Sequence, residues 1–521
     1  MRRCITPSSH DPETFAVITI LFNKERYFYD VHSLVKAFYP EEEVKCSVRR
    51  EDEPLSSGGS PDIEIALNEE EGLITVSMGG AQQLSAVCRK NDGTGDQSSI
   101  DITPVLDDEG DRIFNGKNTL KRLLYEALSA KTGRVLPWGS LTGIRPTHIP
   151  KVLIEAGFDD DAVMREMTGT YYSSEKKAAL ALEIAKRERE ILAGTDFASG
   201  YSLYMGIPFC PTTCLYCSFP SYPVEAWRAR VEDYLRALFA EMEHTARMFQ
   251  GRKLYSVYVG GGTPTALSAK QLDELLRRMN ALYDMTYVKE FTVEAGRPDS
   301  ITAEKLKALS SHGVSRISIN PQSMQQRTLD LIGRRHTAED TVSAFRLARE
   351  TGGFKINTDL ILGLPGESAD DVKDTLEKIC ALGPDDLTIH ALAVKRGSKM
   401  HEMMQTKGVR YPGFEDMERA SVIAEESARG MGLVPYYLYR QKNIAGNFEN
   451  TGYAAPGAHG LYNILINEDI HSIAALGAGA ISKCVCGDVI ERSENVRDLE
   501  QYLTRTDEML ARKEKLFGRI L

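Results

Sequence analysis

From about residue 201, short apolar runs alternate with longer stretches in which apolar residues recur every three or four positions. The runs at 203–207, 254–259, 290–294, 315–319, 356–361 and 386–393 read as strands. Most gaps between them carry amphipathic helix patterns, as at 269–283 and 340–351. Strand–helix alternation predicts a parallel α/β sheet with right-handed crossovers. Six such units over roughly 190 residues suit a partial (β/α)6 barrel, because a closed eight-fold barrel typically takes about 250. In either form, functional side chains belong at the carboxyl ends of the strands.

The earlier part of the chain patterns differently. Residues 1–130 read as a small α/β module, with strands at 16–22 and 73–78, a helix at 29–38, and loops at 54–62 and 91–99. No recognisable chemistry falls there. From about 117 to 192 the periodicity is helical, ending in the charged helix 173–191 with its serine start signal. A loop inside this stretch, 141–148, carries Arg145 and His148 and reads either as a capped turn or as a contact for an anion. After about 397 the pattern is mixed and helix-rich, with an aromatic segment at 436–440 and a glycine-rich approach to a strand at 476–480. The expected organisation is an N-terminal module at 1–130, a helical connector at 131–198, the barrel at 199–395 and a helix-rich C-terminal domain covering the substrate at 396–521.

Length and composition narrow the picture. At 521 residues the chain exceeds one ordinary core, so two or three domains are expected. Hydrophobic residues make up 42% and charged residues 26%, as in soluble globular proteins. A formal charge of −11 argues against a broad nucleic-acid footprint. No apolar stretch approaches the roughly 18 residues of a membrane span. No apolar core follows the charged residues at the N-terminus, so a cytoplasmic location is expected. Nine cysteines in a chain this long do not make a disulfide scaffold. Cys4, Cys46, Cys88 and Cys380 stand alone. Cys484 and Cys486 alternate along a predicted strand and so share a face, which suits either a structural role or a redox or ligand role, as in a second cluster.

Three more cysteines carry chemistry. Cys210, Cys214 and Cys217 lie within eight residues on the loop after the first predicted strand. Three thiolates on one loop can hold three corners of an iron–sulfur cube and leave one iron open. A zinc site would need a fourth ligand close by, and the nearest downstream histidine is His244, in a helical pattern. After the second strand comes Gly260-Gly261-Gly262-Thr263, where the backbone can approach a ligand closely; no phosphate-loop pattern is present. Glu294 ends the third strand, a place where a carboxylate can accept from an ammonium group. Asp359 sits inside an apolar strand, where it needs either a ligand or an internal partner.

In this order, CxxxCxxC, GGGTPT, TVEA, NPQS, GRRH and DLILGLPGE resemble the radical S-adenosylmethionine (SAM) superfamily, and within it the oxygen-independent coproporphyrinogen III oxidase (dehydrogenase) family, HemZ-type subgroup. The resemblance implies that Cys210, Cys214 and Cys217 ligate a 4Fe-4S cluster whose open iron is chelated by SAM. It implies that Gly261, Gly262 and Thr263 line the methionine end of SAM and that Glu294 binds its amino group. Gln322, Arg334 and Asp359 match positions that hold SAM or a second SAM molecule, and Ala393 matches a backbone contact to adenine. Tyr204 matches a site tyrosine and Tyr216 an aromatic packed by the cluster; Tyr204 and Arg334 are the candidate catalytic residues. The implied activity is reductive SAM cleavage followed by hydrogen abstraction from the propionates of coproporphyrinogen III. Carbon dioxide is lost and vinyl groups form, giving protoporphyrinogen IX in porphyrin (heme) biosynthesis, with an unidentified low-potential electron donor. Arg145, Arg297, Arg334 and Arg440 are candidate partners for the propionates. The chain departs from the family pattern at Phe219, where a further cysteine is expected. The related heme chaperones share that absence, so a heme-binding chaperone, with His336 as a heme ligand, and a heme-modifying radical SAM methyltransferase stand as alternatives.

Overall fold

The structure is a computed structural model that describes residues 17–40, 42–49, 61–68, 73–79, 82–87, 105–106, 112–113, 116–143, 145–394, 398–407, 412–441, 448–487 and 489–518. Cys4, Cys88, the loop 91–99 and most of the loop 54–62 lie outside the described residues. Two compact units are present: Met1–Leu182 with Arg440–Phe448, and Glu183–Tyr439 with Glu449–Leu521.

In the first unit, alternating apolar positions put Ile18, Ile20 and Phe22, Ile63, Ile65 and Leu67, and Ile74, Val76 and Met78 on one buried face of a five-stranded sheet. Helices Phe28–Phe38 and Gly116–Thr132 cover that face. The strand at Val17–Phe22, the first helix and the strand at Leu73–Met78 lie where the hydrophobic pattern put them.

The second unit is built on an eleven-stranded sheet. Its parallel strands are β1 (Tyr201–Ile207), β2 (Leu254–Gly261), β3 (Glu290–Glu294), β4 (Arg316–Ser318), β5 (Lys355–Leu362) and β6 (Asp386–Ala391). They neighbour one another in sequence order and form the partial barrel of the radical SAM type. The helix-rich C-terminal region also adds strands at both edges. β7 (Val434–Tyr439) and β8 (Asn450–Ala454) lie antiparallel beyond β6, and β9 (Ser472–Leu476) pairs parallel with β1, followed by the hairpin β10 (Ile481–Cys486) and β11 (Val489–Glu494). Capping boxes at Ser268/Gln271, Thr337/Asp340 and Ser368/Asp371 start the crossover helices after β2, β4 and β5, where each satisfies two orphan N–H groups.

Alternation along the strands divides this sheet into an apolar and a polar face. Leu203, Met205, Ile207, Val257, Val259, Phe291, Val293, Ile317 and Ile356 point outward and form one core with the helices, including Leu235, Leu238, Leu272 and Leu276. The inward positions are polar, and register aligns them across the sheet: Ser202, Ser256 and Glu290, then Tyr204, Tyr258, Thr292 and Arg316, then Glu294, Ser318, Asn357 and Asp386, with Gly206 beside Gly260 and Asp359 beside Thr388 above. A packed eight-fold barrel fills such layers with branched apolar side chains. Here the inner face is left for ions and ligands.

The first residues of β3, β4 and β6 form an ion cluster. Arg316 is buried; it donates to Asp386 at 2.9 Å and to the His459 carbonyl at 2.7 Å, and sits 3.4 Å from Glu290. Burial pushes the Asp386 carboxyl up to about 7 against the pull of Arg316. Removing the cation of this cluster leaves two buried carboxylates facing each other. Arg316→Ala is therefore expected to cost about 3–5 kcal/mol at pH 8. Denaturant titrations should show a smaller loss near pH 5, where the Asp386 carboxyl is protonated and needs the guanidinium less.

Candidate active site

After β1 the chain makes a two-residue strand, Phe209–Cys210, and turns into the cysteine loop. Several bonds fix that loop. Leu215 N–H donates to the Ile332 carbonyl at 3.0 Å, the Thr212 hydroxyl to the Gly333 carbonyl at 3.1 Å, and Met400 N–H to the Leu215 carbonyl at 2.9 Å. Cys210 and Cys214 are buried and Cys217 is half-buried. Burial raises the Cys210 thiol and pushes Cys217 up to about 11, and the neighbouring thiols add to both shifts. Cys210 and Cys217 so placed resist losing their protons, and a polynuclear cation that replaces the protons removes that cost. Among the described residues, no group of three His, Cys, Asp or Glu side chains converges on a point where one metal ion could sit. Thiolates on a cubane cluster each hold a different iron, so they stand farther apart than ligands of a single ion. The donor set fits a 4Fe-4S cluster.

Beside the loop lies a glycine cradle. Thr263 reaches back with its hydroxyl 3.5 Å from Cys210 Sγ. A Cβ at Gly262 would lie 2.7 Å from the Phe209 carbonyl oxygen, and one at Gly260 would lie 2.8 Å from the Glu294 carboxyl carbon. Gly261 has φ 104°, in the left-handed region. Glu294 closes the cradle at the end of β3. Tyr258 donates to its Oε1 at 2.5 Å, and the Gly261 N–H also bonds it. Burial still dominates and pushes the carboxyl up to about 7. A carboxylate held this way favours a cation.

The next strand ends add further polar groups. Gln322 stands at φ 70°, pinned by backbone bonds to Asp359 and Ile361, and its buried Oε1 has no partner among the described residues. Asp359 has internal partners: Asn320 donates to it at 2.7 Å, Asn357 at 2.8 Å, and His390 lies 3.8 Å away. Burial raises this carboxyl, yet His390, Asn357 and Thr388 outweigh it and hold it below the usual range. Arg334 is buried, donates to the Asn320 and Pro321 carbonyls, and lies beside Cys214 and Tyr216. Tyr216 packs with Leu215 and Val394 against Ile332, Ile361, Leu364, Leu392 and Met400. Ala393 is half-buried in the loop after β6, because that strand ends at Ala391, two residues earlier than its pattern indicated.

Other residues singled out in the sequence are engaged elsewhere or differently. Arg297 is 2% exposed and its guanidinium is spent. It chelates Asp299 at 3.0 and 2.7 Å, donates to Thr212 and approaches Cys214 Sγ at 3.9 Å, so it buttresses the loop and is closed to a propionate. His336 is 1% exposed, with neither ring nitrogen bonded among the described residues; burial pushes it down to about 4. Arg145, His148 and Arg440 belong to the first unit, where Arg440 is buried and donates to the Leu141 carbonyl at 2.6 Å. Cys484 is buried and Cys486 is exposed at the strand end. Two tyrosines that the hydrophobic pattern and the motifs did not single out stand in the site. Tyr258 pairs in register with Tyr204, so strand parity could have found it. Tyr462 comes from helix Leu461–Asn467 and stacks on Tyr258 at 4.6 Å, and nothing in the sequence signals that approach.

Comparison with known proteins agrees with this geometry. The sequence pattern of the Radical SAM superfamily matches residues 204–379. The chain is 37% identical over 473 residues to the oxygen-independent coproporphyrinogen-III oxidase-like protein HemZ of Bacillus subtilis, covering 88% of this chain and 93% of that protein. It is 34% identical over 238 residues to the heme chaperone HemW of Bacillus subtilis, covering 46% of this chain and 62% of that one. The solved structure of coproporphyrinogen III oxidase HemN from Escherichia coli has a TM-score of 0.50 at 23% identity, covering 62% of this chain and 72% of that one; this likeness bears on the fold. Among the described residues, no helix is long and apolar enough to cross a membrane.

Proposed function

We propose that this chain, which belongs to the radical SAM superfamily and within it to the HemZ-type coproporphyrinogen-III oxidase-like group, is an oxidoreductase that decarboxylates two propionates of coproporphyrinogen III to vinyl groups without oxygen. The observation that carries this reading is the Glu294 carboxylate on the rim beside the thiol loop, with Gly260 where any side chain would collide with it.

In this reading Cys210, Cys214 and Cys217 hold the 4Fe-4S cluster. Gly261, Gly262 and Thr263 line the methionine end of SAM, and Glu294 accepts from its ammonium group. Gln322 offers its unpartnered oxygen, Asp359 supplies a fixed negative charge, Arg334 a fixed positive one, and Ala393 its backbone. When bound, the cluster and SAM supply one-electron reduction and hydrogen abstraction. The chain's own work is to orient and to keep water out. Arg297 and Thr263 steady the thiol loop, Arg334 sits against Tyr216, and Tyr204 closes the cradle from below, with its hydroxyl 3.2 Å from where a Gly261 Cβ would lie. The C-terminal region covers the substrate, and a low-potential donor outside this chain supplies electrons. The protein works in the cytoplasm, independent of nucleic acid.

A heme chaperone is the second reading, favoured by Phe219, which stands 71% exposed two residues past Cys217. His336 counts against it, since a heme iron could reach that ring only after it left its buried site. Anaerobic incubation with coproporphyrinogen III, SAM and a reductant separates the two. Vinyl product with carbon dioxide and 5′-deoxyadenosine supports decarboxylation. One-to-one heme binding with no porphyrinogen turnover would overturn it in favour of the chaperone.

A further inference from the structure

We infer that Tyr258 is a positioning residue that aims the Glu294 carboxylate, and that its own placement is set from the barrel floor by helix Leu461–Asn467; the inference rests on reading Glu294 as the acceptor of the SAM ammonium group. Tyr258 lies on the inner face of β2, one layer below the rim, and its hydroxyl donates to Glu294 Oε1 at 2.5 Å. That bond occupies one carboxylate oxygen and turns the other toward the cradle. A Cβ at Gly260 would lie 2.8 Å from Tyr258 Cε1 and 2.9 Å from Glu294 Oε2, so ring and carboxylate both pack on that glycine.

The ring has little freedom. Tyr462 stacks on one side at 4.6 Å and 23°, and Tyr204 lies near-parallel at 6.2 Å and 14°. Tyr462 stands in the first turn of its helix, and the N–H groups of Leu461 and Tyr462 both donate to Glu290, at 2.8 and 3.1 Å. A carboxylate at a helix N-terminus satisfies orphan donors and the helix dipole together. Glu290 opens the same strand that Glu294 closes. A buried acid on the floor thus holds a helix, the helix delivers Tyr462, and the stack holds the hydroxyl that orients the acid on the rim.

Protonation adds a second consequence. Burial raises Glu294, the nearby charge of Asp359 raises it further, and the Tyr258 hydroxyl and Gly261 N–H oppose them. Burial holds the Tyr258 phenol far above its ordinary value, so it remains a donor through neutral pH. Losing that hydroxyl leaves Glu294 harder to ionise.

The test uses the anaerobically reconstituted full chain and titration calorimetry with SAM from pH 6 to 9. Tyr258→Phe keeps the ring stack and removes only the bond. SAM should bind roughly 10-fold more weakly at pH 7, with the pH midpoint for binding moved to higher pH and the cluster absorbance unchanged. In a Glu294→Gln background, Tyr258→Phe should have much less further effect. If Glu294→Gln weakens binding while Tyr258→Phe binds like wild type with an unmoved midpoint, Tyr258 does not position the carboxylate. Independent addition of the two effects would exclude that role as well. If Glu294→Gln itself binds SAM like wild type, the reading of Glu294 fails, and this inference with it.

Discussion

Cys214→Ala is expected to abolish the brown cluster absorbance of the anaerobically reconstituted protein and to reduce SAM cleavage to background. Cys214 is the buried middle thiol of the three, with Arg297 at 3.9 Å and Arg334 beside it. Two cations converging on one sulfur offset the negative charge that a cluster ligand brings. Two remaining thiols cannot hold a cubane with a single open corner. The loop itself should keep its shape, because Leu215, Thr212 and Met400 anchor it through bonds that do not involve the sulfur. The cofactor-free variant should therefore lose only about 1 kcal/mol of stability. Iron content, visible absorbance and thermal melting measure the three quantities on one preparation.

Glu294→Gln is expected to weaken SAM binding roughly 10- to 100-fold, the equivalent of about 1.5–3 kcal/mol for a hydrogen bond to a charged group. Gln keeps the shape and can still accept from Tyr258, so the loss isolates the charge. Stability should move the other way. The folded carboxyl titrates near 7, above its ordinary 4.5, so its favourable contribution is fully present below about pH 4.5 and is lost as pH rises through 7. Above pH 7 the cofactor-free wild type bears the cost of a buried negative charge that Gln does not carry. The variant should then melt higher than wild type at pH 8 and no higher near pH 5. Weaker binding in a more stable protein is the signature of a ligand-binding carboxylate. A structural one would lose both.

Much of the barrel was legible because its outward positions obey the apolar periods of strand and helix. β1, β2, β3 and β5 start or end within a few residues of their patterns, and the capping serines and threonines mark the crossover helices. The thiol loop and the glycine run were legible as chemistry because few structural needs place three cysteines, or three glycines, so close together. The inner face was harder. Asp359 read as needing a ligand or an internal partner, and its partners Asn320, from the loop after β4, and His390, from β6, are brought there only by the fold. Arg297 looked available for an anion, but Asp299 two residues on folds back to chelate it, a local bond that charge patterning does not distinguish from an exposed pair. Tyr462 lies some two hundred residues after Tyr258, and only the return of the chain as helix Leu461–Asn467 brings the rings together. Side chains that meet across a barrel share no sequence period.

The proposal that the thiol loop and the strand-end carboxylate together hold a cluster and its SAM carries the rest. Its most direct test is electron paramagnetic resonance of the dithionite-reduced, reconstituted wild-type chain before and after SAM is added, with iron and sulfide counted on the same sample. The expected result is about four irons and four sulfides per chain and a reduced-cluster signal that changes shape when SAM is added. A preparation that takes up zinc instead of iron, or a full cluster whose signal is indifferent to SAM, would contradict it.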